Sequence, residues 1–402
     1  MASMATLLTI EEALVLVLER ARPLESEDVP VEAAGGRILA EDVRSLVDLP
    51  PFRSSAMDGF AVHHGDAPGR LPVVERIPAG RPAGRRLVSG EAMGIATGGS
   101  VPDGADAVVP IERVVDHGGE VEIPATVAEN DNVRPIGGDV RAGDTVLVAG
   151  TLVGPAQVGA LAAVGLASVR CARRPRVAVL STGSELRRPG EVLEPGQIYE
   201  SNGPMIAAAL SQSGAQVERL ELVADDPEAH RDALERGLAA DVLVSSGGVS
   251  VGPHDLVRTV GAGLGVEEVF WGVAVKPGKP LAFGVRGQTL VFGLPGNPVS
   301  SLVAVELFVR PALLALQGAD RPEPRYAYGR LTAPLRASDS RDQLVRARSR
   351  LEEGEIVLEP LSGQESHMIA RAAGANALVL VRSAGGDLAA GDGAPYLRLG
   401  SY

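Results

Sequence analysis

Two lysines close together in the chain are the clearest chemical feature of the sequence. Lys276 and Lys279 lie in the segment KPGKP, where Pro277 and Pro280 restrict the backbone around them. A lysine ammonium group is a compact positive charge that suits a phosphate or another tetrahedral oxyanion. A solvated turn is the alternative and the commoner role of a single Lys-Pro pair, but two charges held together favour anion binding.

Four polar or glycine-rich loops follow apolar runs in the second half of the chain. Glycine lets the backbone approach an oxyanion closely, and the N-terminus of a following helix carries a partial positive charge. A tight turn explains any one loop taken alone, whereas four such loops indicate a binding site. The candidate binding residues are Ser181, Thr182, Gly183, Asp225, Ser245, Ser246, Gly247, Gly248, Pro295, Gly296, Asn297 and Pro298.

Carboxylates lie among these loops and suggest a metal ion. Mg2+ takes a few protein oxygens and keeps several waters, and it commonly accompanies bound phosphates. The alternative role for each acid is a helix cap or a surface charge, which applies above all to the Asp-Pro pair at 226–227. The acids considered are Asp58, Glu185, Asp225, Asp226 and Asp255.

Two familiar motifs are present only in part. Residues 248–252 match G-x-S-x-G, with His254 and Asp255 nearby. In hydrolases of that type the serine directly follows a strand, and the acid and histidine come later in the chain. Here Gly247 and Gly248 intervene and no later Asp-then-His pair stands out, which disfavours a serine hydrolase. The sequence has no Walker A pattern, and its glycines at 261–265 end a helical pattern, unlike a dinucleotide fingerprint.

The elements that must position these residues follow from the pattern after residue 176. Apolar strand-like runs alternate with helical patterns over residues 176–316, which predicts a parallel sheet covered by helices on both faces. Loops at the carboxyl ends of parallel strands share one edge of the sheet, and ligands bind there. We therefore expect the four loops to meet in one site.

The rest of the chain has a different character. Residues 9–21 show the apolar spacing of an amphipathic helix, with a capping pattern formed by Thr9 and Glu12. Residues 46–136 carry short β-type runs broken by Gly and Pro, which predicts a β-rich module. Alternating runs after residue 325 predict a small antiparallel β domain.

Composition narrows the class of protein. A chain of 402 residues suggests roughly two to four domains. The net charge of −13 disfavours nucleic acid as a partner. The single cysteine, Cys171, excludes an intrachain disulfide and a cysteine-type zinc site. Because Glu11 and Glu12 interrupt the first apolar run and no long uncharged apolar run follows, we expect a cytoplasmic protein without a membrane partner.

Several motifs, in this order, resemble the molybdopterin molybdenumtransferase family that includes MoeA and the gephyrin E-domain. They are SAMDGFA, ATGGSVPDGADAVV, STGSEL, SSGGVSVGPHD, KPGKP and LPGNPVS within residues 50–301, followed by GQESH near residue 364. The resemblance implies a multidomain α/β protein with a doubly wound α/β sheet domain of the molybdopterin-binding type, β-rich accessory domains and a C-terminal β domain. We expect the domains to comprise residues 1–45 plus 137–171, 46–136, 172–318 and 319–402.

The resemblance also implies a reaction. Members of this family insert molybdate into adenylylated molybdopterin, release AMP and form molybdenum cofactor, aided by Mg2+. They are homodimers whose active-site cleft involves both subunits, and the upstream adenylyltransferase is a candidate partner. Matched motif by motif, the implied catalytic residues are Asp58, Thr97, Glu185 and Asp255, of which Glu185 and Asp255 are the implied Mg2+ ligands. The implied oxyanion residues are Lys276, Lys279, Arg346 and Ser366.

The sequence departs from the family pattern at three places. The acid of the family's STGDEL is Ser184 here, the acid of its GED segment is Gly138 beside Asp139, and its GQGSH reads GQESH. The first departure removes one expected metal contact and weakens the Mg2+ assignment more than the function.

Two other functions fit part of the sequence. The adenylyltransferase of the same pathway resembles only residues 172–318, so residues 1–171 and 319–402 argue against it. A scaffold role, as in gephyrin-type relatives, is disfavoured because we find no appended domain or long linker. The preference for molybdenum or tungsten, the subunit that supplies each residue, and the rank of this paralogue stay open.

Overall fold

The computed structural model describes residues 7–224, 226–247 and 256–400. The N-terminal part consists mostly of short strands. In chain order its elements are α1 (Ile10–Leu18), β1 (Ser26–Pro30), β2 (Val43–Arg44), β3 (Ser54–Ser55), β4 (Gly59–Val62), β5 (Gly69–Ile77), β6 (Ala92–Ile95), β7 (Ala107–Pro110), β8 (Val115–Asp116), β9 (Glu120–Ile123), β10 (Val133–Arg134), β11 (Thr145–Leu147), α2 (Pro155–Ala163) and β12 (Ser168–Ala172).

Helix α1 begins at the capping box that its sequence predicts. The Thr9 hydroxyl accepts a hydrogen bond from the Glu12 N–H (3.1 Å), and the Glu12 carboxylate accepts one from the Thr9 N–H (2.8 Å). The helix ends at Leu18, short of the expected residue 21. Ala13 and Val17 are fully buried in the large core beside the central sheet, so this N-terminal helix packs against residues far along the chain.

The expected β-rich module is a mixed six-stranded sheet. Its strand order is β7-β4-β6-β5-β9-β8, with β5 and β6 parallel and the other neighbours antiparallel. Two separate apolar clusters pack around it. The antiparallel pairs β1–β12 and β2–β11 join the chain that enters this module to the chain that leaves it.

The middle of the chain forms the α/β unit. Its elements are β13 (Arg176–Ser181), β14 (Leu186–Arg187), β15 (Ile198–Tyr199), α3 (Asn202–Gln212), β16 (Gln216–Arg219), α4 (Pro227–Gly237), β17 (Val242–Ser246), α5 (Leu256–Gly263), β18 (Glu267–Trp271), β19 (Val275–Lys276), β20 (Ala282–Arg286), β21 (Thr289–Leu294), α6 (Pro298–Ala304) and α7 (Arg310–Leu316).

The central sheet is parallel over most of its width. Its order is β16-β13-β17-β21-β20-β18, and the first four strands are parallel. Helices α1, α3, α6 and α7 contribute to the apolar core on one face, and α4 and α5 to the core on the other. The expectation of a sheet covered on both faces is confirmed.

The predicted parallel sheet also has an antiparallel edge. Strands β20 and β18 run antiparallel to their neighbours. Only Gly287 and Gln288 separate β20 from β21, and a two-residue turn can join only antiparallel strands. The local turn therefore determines the direction of this edge.

The helical run Pro298–Leu316 is the main core helix of the α/β unit. A π-helical turn, Val305–Val309, lies between α6 and α7. Among the described residues this run is the one helix long and apolar enough to cross a membrane, and 89% of its most apolar window is buried inside the protein. Its buried ion pair, Arg310 to Glu306 at 2.8 Å, is enclosed by the same core.

The last part of the chain closes into a barrel. Its elements are β22 (Tyr326–Leu331), β23 (Asp342–Glu352), β24 (Glu355–Pro360), α8 (Ile369–Ala372), β25 (Ala377–Val381) and β26 (Gly393–Arg398). The strands pair in the ring β23-β24-β22-β26-β25 and back to β23. The pair β22–β24 is parallel, which departs from the antiparallel expectation. Strand β23 lies between these strands in the chain and pairs antiparallel with β24, so β22 and β24 both run opposite to β23.

Strand β19 of the α/β unit adds to this barrel. It pairs in parallel with β23, with Lys276 opposite Gln343. The segment that carries the two lysines is therefore held by the central unit and the barrel together.

Candidate active site

A cleft of about 860 Å³ lies at the carboxyl edge of the parallel strands. The loops after β13, β17 and β21 line it, together with the KPGKP segment and residues 364–367 of the last domain. The predicted residues that it brings together are Ser181, Thr182, Gly183, Glu185, Ser246, Gly247, Lys276, Lys279, Pro295, Gly296, Asn297, Pro298 and Ser366.

Gly247 allows two of these loops to touch. Its φ is +93°, and a Cβ atom there would lie 2.6 Å from the Thr182 carbonyl oxygen. The Thr182 N–H donates a hydrogen bond to the Ser246 carbonyl (3.0 Å). Any larger residue at position 247 would push the loops apart, so the glycine serves the close approach that anion-binding backbone requires.

Lys276 and Lys279 present exposed side chains to the cleft. Neither ammonium group forms an ion pair with any residue that the structure describes. These are the only lysines in the chain, because the other 36 of its 38 basic residues are arginines. The cleft thus holds two free positive charges of a kind that the protein uses nowhere else.

Arg341 adds a third positive charge that the sequence reasoning missed. It lies just before β23, is half-buried and lines the same cleft. It forms no ion pair within the described part of the chain. Its sequence neighbourhood, SDSRDQ, has the composition of a solvated turn, so only the packing of the barrel against the central unit identifies it.

Ser366 joins the barrel to the loop after β21. Its hydroxyl accepts a hydrogen bond from the Asn297 side-chain amide (2.8 Å), and its carbonyl accepts one from the Val299 N–H (3.1 Å). Two residues chosen from distant motifs are therefore direct neighbours at the cleft.

Arg346 differs from its expected position. It is 1% exposed and is absent from the cleft wall. Its guanidinium group donates hydrogen bonds to the carbonyl oxygens of Gly363 (2.8 Å), Glu365 (3.2 Å) and Met368 (2.9 Å). With these bonds Arg346 supports the loop that carries Ser366, and a direct role toward an oxyanion stays a prediction.

Ser245 and Asp226 also have structural partners. Ser245 is fully buried, and its hydroxyl donates to the Phe292 carbonyl of the adjacent strand (3.3 Å). The Asp226 carboxylate accepts a hydrogen bond from the Ala229 N–H (2.8 Å) and caps α4. Ser245 is not part of the cleft wall, and the helix-cap alternative accounts for Asp226.

Asp58 and Thr97 lie together in the β-rich module. The Asp58 carboxylate accepts a hydrogen bond from the Thr97 N–H (2.7 Å), and both residues are exposed. Neither belongs to the cleft lined by their own chain. The motifs SAMDGFA and ATGGSVPDGADAVV thus meet at an exposed position outside the cleft.

Comparison with known protein families covers nearly the whole chain. A model of the MoeA N-terminal region, domains I and II, matches residues 8–165. A model described as a probable molybdopterin binding domain matches residues 178–315, and one of the MoeA C-terminal region, domain IV, matches residues 328–399.

Individual relatives agree with these matches. A Mycobacterium tuberculosis protein named molybdopterin molybdenumtransferase 2 is 40% identical over 354 residues, covering 84% of this chain and 87% of the relative. A Haemophilus influenzae molybdopterin molybdenumtransferase is 35% identical over 393 residues, covering 96% and 97%. The chain belongs to the MoeA family. A crystal structure of a molybdopterin biosynthesis MoeA protein from Pyrococcus horikoshii matches with a TM-score of 0.81 at 32% identity, over 99% of this chain and 100% of the other.

Family membership confirms the resemblance and the multidomain α/β fold. It leaves the individual site residues as predictions. Asp225, Gly248 and Asp255, which the sequence analysis predicts for the site, lie outside the described residues. The roles of the others depend on the geometry given above.

Glu185 is the candidate metal ligand that the structure describes. Its carboxylate faces the cleft and lies against Gly183, where an added Cβ would be 2.7 Å from Oε2. Mg2+ is commonly held by one or two carboxylates together with waters and substrate phosphates. The hard oxygen of Glu185 beside an anion-binding loop fits such an ion as one of its ligands.

Another group of metal-ligand type occurs in the β-rich module. Ligand atoms of His63, His64 and Asp106 lie within 4.8 Å of one another. Hydrogen bonds account for this geometry, since His64 Nδ1 is 2.7 Å from the Asp106 carboxylate and His63 Nδ1 accepts the Gly65 N–H. We interpret the group as His64 hydrogen-bonded to Asp106, with His63 Nε2 3.5 Å from the same carboxylate.

Proposed function

We propose that this protein inserts molybdate into adenylylated molybdopterin, releases AMP and forms molybdenum cofactor. Membership of the MoeA family supports the reaction, and a cleft that combines glycine-rich loops with unpaired cations supports a substrate that carries phosphates. We further propose that it acts in the cytoplasm as a homodimer, with Mg2+, and that the upstream adenylyltransferase is its source of substrate.

The observation that carries this proposal is the lysine pair. At the other 36 basic positions the chain has arginine. Guanidinium and ammonium groups are not interchangeable, because the planar guanidinium suits bidentate partners whereas the ammonium is a small point charge. Two ammonium groups in one cleft suit a small tetrahedral oxyanion such as molybdate.

The protein's contribution to the reaction is positioning and charge neutralisation. The backbone around Ser246 and Gly247 approaches the phosphates, and Lys276, Lys279 and Arg341 balance the charge of the oxyanion. Such preorganised groups lower the barrier most where charge develops in a site that excludes water. In this reaction water attacks the adenylyl phosphorus, the bridging P–O bond breaks, and AMP leaves the pterin phosphate. The two dithiolene sulfurs then bind molybdenum in place of a molybdate oxygen, which leaves as water with the two thiol protons.

Mg2+, held by Glu185 and Asp255 in this proposal, would supply further positive charge at the phosphoanhydride. The Ser184 departure removes one acid from that neighbourhood. Glu185 would then carry more of the metal affinity than its counterpart in relatives that have an acid there.

The test uses substitutions that keep the charge. We expect Lys279→Arg and Lys276→Arg to lower kcat/KM for molybdate by about 100-fold, because a guanidinium group neither fits nor replaces a point charge at the oxyanion. AMP release from adenylylated molybdopterin is measured with molybdate varied.

Arg321→Lys, at an exposed position, is the matched control and should have the same kcat/KM for molybdate as the parent. Equal rates for the Lys→Arg variants and the parent would overturn the role of the lysine pair. Formation of adenylylated molybdopterin from ATP, without molybdate-dependent AMP release, would indicate the adenylyltransferase reaction instead.

A further inference from the structure

Two polar side chains at the start of α3 take no part in the chemistry proposed above. Glu200 is 2% exposed, and its carboxylate accepts hydrogen bonds from the Ser181 hydroxyl (3.0 Å), from the Arg219 guanidinium (2.9 Å) and from the Gly203 N–H. Ser181 is the last residue of β13. A buried carboxylate at this point therefore fixes a cleft residue to the first turn of the next helix.

The packing around this carboxylate leaves no room for another side chain. A Cβ atom on Gly203 would lie 2.9 Å from both the Ser181 hydroxyl oxygen and Glu200 Oε1. The glycine thus lets the helix start directly over the end of the strand. This close approach is the local reason that α3 begins where the cleft begins.

Asn202 links the other two strands of the cleft. Its side-chain amide donates one hydrogen bond to the Ser246 hydroxyl (2.7 Å), at the end of β17, and one to the Gly296 carbonyl (2.7 Å), after β21. Its own oxygen is buried and has no partner among the described residues. Rotating the amide by half a turn would place that oxygen next to the Gly296 carbonyl oxygen, and two acceptors cannot form a hydrogen bond. The orientation in which the amide nitrogen faces Gly296 is therefore the favourable one.

We infer that Glu200 and Asn202 are positioning residues of the proposed active site. Strands β13, β17 and β21 are neighbours in the sheet. Glu200 holds Ser181 at the end of the first, and Asn202 holds Ser246 and Gly296 at the ends of the other two. Together they set the spacing of the loops that grip the phosphates, which deepens the function proposed above and rests on it.

The decisive variant is Asn202→Ala, with Asn202→Asp as its nearly isosteric partner. A carboxylate offers no N–H to the Gly296 carbonyl, so we expect both variants to lower kcat by about 100-fold, the scale at which misplaced groups reduce catalysis. If Asn202 only filled space, the nearly isosteric Asn202→Asp variant would keep the kcat of the parent. Recovery of the parent kcat by Asn202→Asp would therefore overturn the inference.

A double-mutant cycle separates positioning from general stability. If Asn202 acts through Ser246, the double variant Asn202→Ala with Ser246→Ala should lose little more kcat than the more damaging single variant. Independent, multiplying losses would contradict the link. Glu200→Gln, which keeps an acceptor oxygen for Ser181, should lose less activity than Glu200→Ala, and equal losses would contradict the tie from Glu200 to Ser181.

Hydrogen–deuterium exchange of the ligand-free protein tests the same inference without any substrate. We expect faster amide exchange in residues 294–298 of Asn202→Ala than of the parent, because the tie to Gly296 is lost. Unchanged exchange would overturn the inference. If the parent releases no AMP while the exchange differs as expected, the proposed function fails and the positioning role stands.

Discussion

At the scale of single residues, the cleft differs from the rest of the chain in the kind of cation that it holds, because both lysines lie there. Several exposed arginines are paired with acids, as in Arg70 with Glu122 at 2.8 Å. Such pairs contribute little to stability, but they leave no cation free for a ligand. The lysines of the cleft have no such partner among the described residues, so their charge is available to an anion.

Because the chain has only two lysines, amine chemistry can report on the cleft directly. We expect an amine-directed acylating reagent to modify Lys276, Lys279 and the N-terminal amine, and molybdate to slow the reaction at both lysines. Peptide mass spectrometry gives the extent of modification at each position. The N-terminal amine is the internal control, and equal protection of all three amines, or none, would contradict oxyanion binding by the pair.

The exposed acids Asp58 and Glu185 give a second prediction at the scale of single residues. We expect Asp58→Ala and Glu185→Ala to reduce AMP release by about 100-fold while leaving the thermal midpoint of unfolding near that of the parent, because both side chains face solvent and act on bound substrate. Glu323→Ala, an exposed acid between α7 and β22, is the control. Turnover equal to that of the parent in a purified ligation assay would reject either role.

At the scale of elements, one contact holds the end of β4 to the start of β7. The Asp106 carboxylate accepts hydrogen bonds from the His64 backbone N–H (2.6 Å) and is paired with the His64 ring (2.7 Å). The hydrogen bond to Asp106 raises the pKa of His64 above its ordinary 6.5. Burial opposes ionisation of Asp106, but the hydrogen bonds from His64 outweigh it and hold the pKa of the carboxyl below its ordinary 3.8.

These two shifts predict a pH window for stability. The raised pKa of His64 means that its contribution is complete below about pH 6.5 and is lost as the pH rises through the folded-state pKa. The lowered pKa of Asp106 means that its contribution is present above about pH 3.8 and is lost as the pH falls through its folded-state pKa. The pair therefore stabilises the β-rich module most between these limits.

Thermal unfolding of His64→Gln checks this window. We expect the substitution to lower the thermal midpoint of unfolding more at pH 6 than at pH 9. At pH 6 the positive charge of His64 stabilises the parent, and the neutral glutamine amide cannot replace it. A loss of equal size at both pH values would show that the charge of His64 contributes nothing.

At the scale of the whole molecule, the proposed residues form two separate groups. The cleft carries the lysines, Glu185 and Ser366, while Asp58 and Thr97 lie on the β-rich module outside it. A homodimer with a shared cleft would bring one group from each subunit together. Such an arrangement would make every active site depend on two chains.

Subunit mixing tests that arrangement. If each site takes Asp58 from one chain and Lys279 from the other, a mixture of Asp58→Ala and Lys279→Ala subunits should recover about a quarter of the parent activity, since half the dimers are mixed and each has one intact site. A mixture of Lys279→Ala with Glu185→Ala should recover none, because both changes lie in the same cleft. Failure of the first mixture after proven subunit exchange would mean that each site lies within one chain.

Much of the site was predictable from the sequence alone. The alternation of apolar strands and helices places the loops after β13, β17 and β21 at one edge, because parallel strands have a common carboxyl end. The KPGKP segment was identifiable by its charge and its prolines. These signals are local in the chain, and the family resemblance added the link to GQESH in the last domain.

Only the tertiary structure decided which side chains reach the cleft. Arg341 lines it and Arg346 does not, although they are five residues apart in one region and have the same chemistry. Asn202 and Glu200 became visible through contacts with residues up to 94 positions away. The physical reason is that a side chain's direction and partners depend on how the barrel and the central sheet pack together, and no short stretch of sequence specifies that packing.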